Sequence, residues 1–198
     1  MADELPATLV VMALAAEGAR RFEQQGIPVL YTGIGKVNAA SALSRRLAQY
    51  RCAGRALPLV VNFGTAGSRR HAAHALVCCH RFIDRDMDVS ALGFPPGTTP
   101  FDPLPAVLEF APRFPGLPTA VCGSGDSFAA ETRAVQCDVM DMEAYAIAKV
   151  CRIEGADFGC AKFVSDGADE TAAHDWQKNV AGAADAFVAL YLELVSRP

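Results

Sequence analysis

Thr8-Leu9-Val10-Val11-Met12-Ala13-Leu14 is an unbroken apolar run of strand length, and continuity without alternation marks a strand covered on both faces. Ala15 to Phe22 follows with helical character and carries Glu17 near its start. The same succession then repeats. Pro28 to Tyr31 reads as a strand, a glycine-bearing turn begins at Thr32, and a helix runs through Leu47. Leu57 to Phe63 reads as a third strand and opens into the small-residue turn Gly64-Thr65-Ala66-Gly67-Ser68. Further strands are predicted over Ala75 to Ile83, Thr119 to Cys122, Ala134 to Val139 and Gly159 to Val164. A mostly apolar helix follows Asp141-Met142-Glu143, and a last helix from Ala172 to Val195 sets Val180, Ala183, Ala184, Phe187, Leu190 and Leu194 at helical spacing. Strand, small-residue turn and helix in series predict an α/β sheet with helices on both faces.

One stretch breaks the pattern. From Ser90 to Pro118 the chain carries eight prolines interspersed with Phe94, Phe101, Phe110 and Phe114, which predicts a long stiffened loop with at most one short helix, near Ala106 to Ala111. A connection this long inside a compact domain is usually functional or covers an interface. The length of 198 residues suits one domain over residues 1–198, and 52% hydrophobic residues make it core-rich. A formal net charge of −4 argues against a general polyanion surface, so no nucleic-acid partner is expected. The acidic start and the lack of a long apolar run point away from secretion and from the membrane, with cytoplasm as the expected location. Seven cysteines, an odd number without a Cys-x-x-Cys pair, read as reduced core thiols. His71, His74, His80 and His174 have no recognisable metal-site spacing, and Asp84-Arg85-Asp86-Met87-Asp88 lacks the glycine and terminal glutamate of an EF-hand loop. No metal and no cofactor are predicted; the three-glycine dinucleotide fingerprint is missing as well.

The candidate chemistry lies at the strand ends. Glu17, Glu143 and Asp166 each follow or close a predicted strand, where ligands gather in open α/β sheets. Singly, each reads as a dipole-stabilised first-turn acid or an N-cap. Behind Glu143, however, the helix has little polar face, so a carboxylate there lies deep and needs a hydrogen-bonding partner, which a ligand hydroxyl would supply. Asp141 reads as a cap or structural partner. Phe128, at the end of Gly123-Ser124-Gly125-Asp126-Ser127, reads either as core or as a stacking platform for a flat ligand.

Six blocks in this order resemble the methylthioadenosine/adenosylhomocysteine nucleosidases of the nucleoside phosphorylase/hydrolase superfamily: residues 32–40, 61–67, 86–89, 124–128, 141–143 and 165–166. The resemblance implies a three-layer α/β/α sandwich with a central mixed sheet, nucleoside phosphorylase-like, and hydrolysis of the N-glycosidic bond of a purine nucleoside. It assigns Glu17 as the general base that activates water. Asp166, with Ser165, becomes the acid that protonates the departing purine at N7. Glu143 would bind the ribose hydroxyls, Met142 would pack on the sugar, Phe128 would stack on the purine, and the Ala129 backbone would read the purine edge. Thr65, Ala66 and Gly67 join the substrate-binding set, and Leu14 and Trp176 match the apolar pocket for the 5′-substituent. Val89, Leu92 and Phe94 are expected from a neighbouring subunit, giving a homodimer with the 86–118 loop near its interface. These types suit a reaction that builds positive charge on the ribosyl ring and negative charge on the leaving purine. Two alternatives stand beside hydrolysis: phosphorolysis, for which Asn62 replaces the arginine such enzymes commonly carry while Arg69 and Arg70 lie close by, and a non-catalytic purine-nucleoside-binding protein, because the chain before Pro28 lacks a hairpin expected of the family.

Overall fold

The computed structural model describes residues 5–127, 135–168 and 172–197. Eight strands form one sheet: β1 (Thr8–Met12), β2 (Val29–Tyr31), β3 (Leu59–Gly67), β4 (Leu76–Asp84), β5 (Val107–Glu109), β6 (Thr119–Ser124), β7 (Val139–Asp141) and β8 (Phe158–Asp166). The helices are α1 (Ala15–Gly18), α2 (Arg21–Gln24), α3 (Lys36–Cys52), α4 (Ala144–Glu154), α5 (Ala172–Asn179) and α6 (Ala184–Ser196). β1 runs parallel to β2 and β3, and β3 runs parallel to β8. β4 is antiparallel to β8 and β5 but parallel to β6. The sheet is therefore mixed. Its pairings also close a ring, because β6 continues to β7 and β7 meets β3 at Gly67.

Period-two alternation sends successive side chains of each buried strand into two different cores. Leu9, Val11, Val60, Val77 and Cys79 enter one core with Ala39, Leu43 and Leu47 of α3 and most of α4. Val10, Met12, Val61, Phe63 and Cys78 enter the other, with Phe22 of α2 and Phe187 and Val188 of α6. Helices thus cover both faces, which is the expected three-layer sandwich. In α3 the buried positions 39, 43, 47 and 50 fall on one face, and full burial of Leu43 and Leu47 stabilises the fold by about 2 kcal/mol each. In α4 seven of eleven residues are buried, so this helix is clamped on nearly every side. Cys78, Cys79, Cys122, Cys151 and Cys160 are buried free thiols, as the composition predicted.

Several local expectations are corrected. The helix predicted over Ala15 to Phe22 is two short ones, because Ala19 and Arg20 adopt left-handed φ values of 44° and 59° and turn the chain between them. The last helix is likewise two, α5 and α6, interrupted around Gly182. The short helix expected near Ala106 to Ala111 is instead β5, whose Val107 and Leu108 pair with the edge of β4 at Ile83 and Phe82. The strand predicted over Ala134 to Val139 begins only at Val139; its first residue, Ala134, lies outside the described residues. Gly64 to Gly67 is not a turn but the last part of β3. Small residues stand there for clearance: a Cβ on Gly67 would fall 2.5 Å from Asp166 Oδ1, and one on Gly64 would fall 3.0 Å from Glu17 Oε1. The β3–β8 ladder slips at this point, Ala66 pairing with Val164 but Gly67 with Asp166.

Candidate active site

One cavity opens where the carboxyl ends of β1, β3 and β8 meet the start of α4. Leu14, Glu17, Thr65, Ala66, Gly67, Met142, Glu143, Ser165, Asp166 and Trp176 all line it. Residues as far apart in sequence as Leu14 and Trp176 are thus gathered around one space. Phe128 and Ala129 lie outside the described residues.

Glu17 is buried at 4% exposure, which for a carboxylate demands donors. It has three. Its Oε2 accepts the Leu14 N–H at 3.1 Å, reaching back over the first turn of α1, and its Oε1 accepts both the backbone N–H (2.8 Å) and the hydroxyl (3.0 Å) of Thr65. Asp166, the last residue of β8, takes the Ser165 hydroxyl on Oδ2 at 2.7 Å and the Ala168 N–H on Oδ1 at 3.0 Å.

Glu143 precedes α4 and accepts the Gly35 N–H on Oε1 at 2.8 Å. Burial pushes its carboxyl up to about 7; the neighbouring Asp141 charge adds to the rise, while Lys162 and the Gly35 hydrogen bond oppose it. Asp141 behaves as the structural partner the sequence suggested. Its Oδ2 caps α4 by accepting the Ala144 N–H (2.9 Å), and its Oδ1 takes the Ser124 hydroxyl (2.5 Å). The same Oδ2 lies 2.8 Å from Lys162 Nζ, an ion pair almost wholly shielded from solvent. Burial resists charge on both groups, yet mutual attraction wins: the Lys162 ammonium is held well above its usual range and the Asp141 carboxyl below its own.

A protein-family model described as the phosphorylase superfamily matches residues 21–196. The 5′-methylthioadenosine/S-adenosylhomocysteine nucleosidase of Geobacillus kaustophilus is 30% identical, over 85% of this chain and 78% of its own length. The chain belongs to the phosphorylase superfamily, in this nucleosidase family. The corresponding nucleosidase of Haemophilus influenzae strain PittEE is 29% identical over the whole of this chain and 91% of its own. Among solved structures, a Helicobacter pylori nucleosidase variant with 5′-methylthioadenosine in its active site superimposes with a TM-score of 0.81 at 20% identity, covering 95% of this chain and 97% of the other. A futalosine hydrolase variant from the same organism gives 0.80 at 20% identity, with the same coverage. The nucleoside phosphorylase-like fold is therefore established.

Two cations, one lining the cavity and one buried behind it against Asp141, were not singled out by the sequence. Arg85, at the end of β4, is 5% exposed and donates from Nη2 to the Ser127 carbonyl, and it lines the cavity with Ser127. Its signal is a charge at a strand's carboxyl end, next to the 86–89 block that carries part of the family resemblance. Lys162 was hidden in the apolar run of β8, where a lone lysine in a strand covered on both faces was itself the sign of a buried counterion. Among the described residues no group of His, Cys, Asp and Glu is arranged to hold a metal ion, and no helix is long and apolar enough to cross a membrane.

Proposed function

We propose that this protein hydrolyses the N-glycosidic bond of a 5′-modified adenosine, such as 5′-methylthioadenosine or S-adenosylhomocysteine, and releases the free purine. The observation that carries this reading is Glu17, a buried carboxylate fixed by three donors and sharing one cavity with the Ser165–Asp166 pair. Glu17 takes a proton from water as its oxygen approaches the anomeric carbon. Glu143 accepts the ribose hydroxyls and, with Glu17, offers negative charge to the ribosyl cation that develops. Asp166, steadied by Ser165, delivers a proton to N7 so that the purine leaves neutral. Met142 packs against the sugar, Leu14 and Trp176 border the 5′-substituent, and Phe128 and Ala129 receive the purine.

Water is favoured over phosphate because the cavity presents carboxylates where a phosphate dianion would need cations. Two nearby cations are engaged outside the cavity, Arg69 donating to Ala168 O and Arg70 pairing with Asp138 Oδ1 at 2.6 Å, whereas Arg85 lines it and donates to the Ser127 carbonyl. Asn62, in place of an arginine, spends its amide on Val11 O. The reading includes a cytoplasmic, single-domain homodimer with the 86–118 loop near the interface, supported by Leu92 and Phe101, which are 71% and 95% exposed.

The test is incubation with methylthioadenosine, adenosylhomocysteine, inosine and futalosine, with and without phosphate, followed by identification of the sugar. Free 5′-modified ribose without phosphate is expected; a strict phosphate requirement overturns hydrolysis, and binding without turnover overturns catalysis.

Glu143 sets a pH dependence. The carboxylate is a stronger acceptor for the ribose hydroxyls than the protonated acid, so affinity for a non-hydrolysable nucleoside should weaken below pH 7, by at most about tenfold per pH unit, and level off above it. The stability sign is opposite. A folded value above the ordinary 4.5 contributes stability that is full below 4.5 and vanishes as pH rises through about 7. Calorimetric titration of Glu143→Gln should show weaker binding without this limb; an unchanged limb means that another group produces it.

A further inference from the structure

Trp176 is the chain's only tryptophan, and its indole is engaged in a way that an apolar wall does not require. Nε1–H donates to Thr65 Oγ1 at 2.9 Å. That oxygen stands 3.0 Å from Glu17 Oε1. An indole nitrogen can only donate and a carboxylate can only accept, whereas a hydroxyl has one proton and lone pairs to receive another. The arrangement therefore has a single polarity: tryptophan donates to threonine, and threonine donates to glutamate. Without the indole, the Thr65 hydroxyl is free to rotate toward other acceptors.

The consequence reaches the individual oxygens of the base. Thr65 supplies Oε1 with two donors, its N–H and its hydroxyl, which together occupy that oxygen's in-plane capacity. Oε2 receives only the Leu14 N–H and keeps capacity for one more proton donor. Three residues beyond Trp176, on the same helical face, Asn179 Nδ2 donates to the Ser165 carbonyl at 2.9 Å. One face of α5 is thus tied both to the strand end that holds the base and to the strand end that carries the acid.

We propose that Trp176 is a positioning residue for the general base: its indole N–H fixes the Thr65 hydroxyl as a donor to Glu17 Oε1, leaving Oε2 to take the proton from water. This rests on the hydrolytic reading of the cavity and adds to it a dependence of water activation on the docking of α5. An indole that served only as a pocket wall would affect how tightly the 5′-substituent binds. A relay affects the chemical step.

Two measurements test it, one of them independent of turnover. With a single tryptophan, the indole N–H gives one assignable proton–nitrogen NMR signal. Thr65→Val should move it toward the position of a free indole, and Glu17→Gln should shift it through the intervening hydroxyl; a signal unmoved by both substitutions overturns the relay whether or not the protein hydrolyses nucleosides. In kinetics, Trp176→Phe keeps an aromatic wall and removes the donor. It should lower kcat roughly fivefold to twentyfold with KM changed by less than about threefold. Thr65→Val should lower kcat similarly, Thr65→Ser should retain most activity, and Trp176→Phe should add little in the Thr65→Val background. A rise in KM at unchanged kcat, or full additivity of the two losses, overturns the proposal. Wild-type protein inert toward every nucleoside defeats the hydrolytic reading separately, with the NMR signal still deciding the relay.

Discussion

Glu17→Gln should lower kcat by about 10²- to 10⁴-fold while leaving nucleoside affinity within a few-fold of wild type. The amide is nearly the same shape, and its carbonyl oxygen can still accept the two Thr65 donors that now meet Oε1. What it loses is on the other atom. An NH₂ in place of Oε2 cannot take a proton from water, and it faces the Leu14 N–H that Oε2 accepts today. The defect should therefore concentrate in the chemical step, with a local strain too small to empty the cavity. Steady-state kinetics paired with calorimetric titration of a non-hydrolysable nucleoside separates the two. Retained activity would remove Glu17 from the role of base.

The second large effect is on stability. Lys162→Met replaces a fully buried ammonium with an apolar chain of similar length and leaves Asp141 without its ion-pair partner. Breaking a buried pair from one side costs about 3–5 kcal/mol, because the remaining charge must stay desolvated or take up a proton. For a chain of this size that corresponds to a fall in Tm of roughly 10 °C. The companion variant Asp141→Asn with Lys162→Met removes both charges and should recover part of the loss. Its recovery stays incomplete, since Asp141 also accepts the Ala144 N–H at the start of α4 and the Ser124 hydroxyl. Thermal unfolding of the single and double variants decides the matter; equal Tm values for wild type and Lys162→Met would show that the pair is not a stabilising unit.

The acids of the candidate site were legible because polarity is conspicuous at the end of an apolar run. Glu17 and Asp166 follow strands that read clearly, and Glu143 stands before a helix with hardly a polar face. Where the sequence misled, the cause was that one residue type serves two ends. Glycine and alanine at 64–67 look like a turn, but here they provide clearance inside a strand for the carboxylates of Glu17 and Asp166. Ala19 and Arg20 carry no sign of the left-handed turn they make, since neither is a residue that favours it. β5 was masked by the prolines around it and is fixed by long-range pairing with β4, which no local window contains. Lys162 and Arg85 went unread for a related reason: the partner that makes a buried cation acceptable lies on a distant strand or turn.

The slip between Ala66 and Gly67 reaches beyond the ladder it interrupts. In a regular strand, Ser165 and Asp166 would point to opposite faces. Here both side chains open on the same cavity, and the hydroxyl reaches the carboxylate. Removing one residue at this point would give β8 a more regular ladder and, in the same stroke, turn the acid into the core or pull it out of reach. On the proposed roles, a descendant could therefore lose hydrolysis through a single in-frame deletion while keeping its fold, the floor of its cavity and the Glu143 carboxylate, which is a short mutational path from an enzyme to a nucleoside receptor.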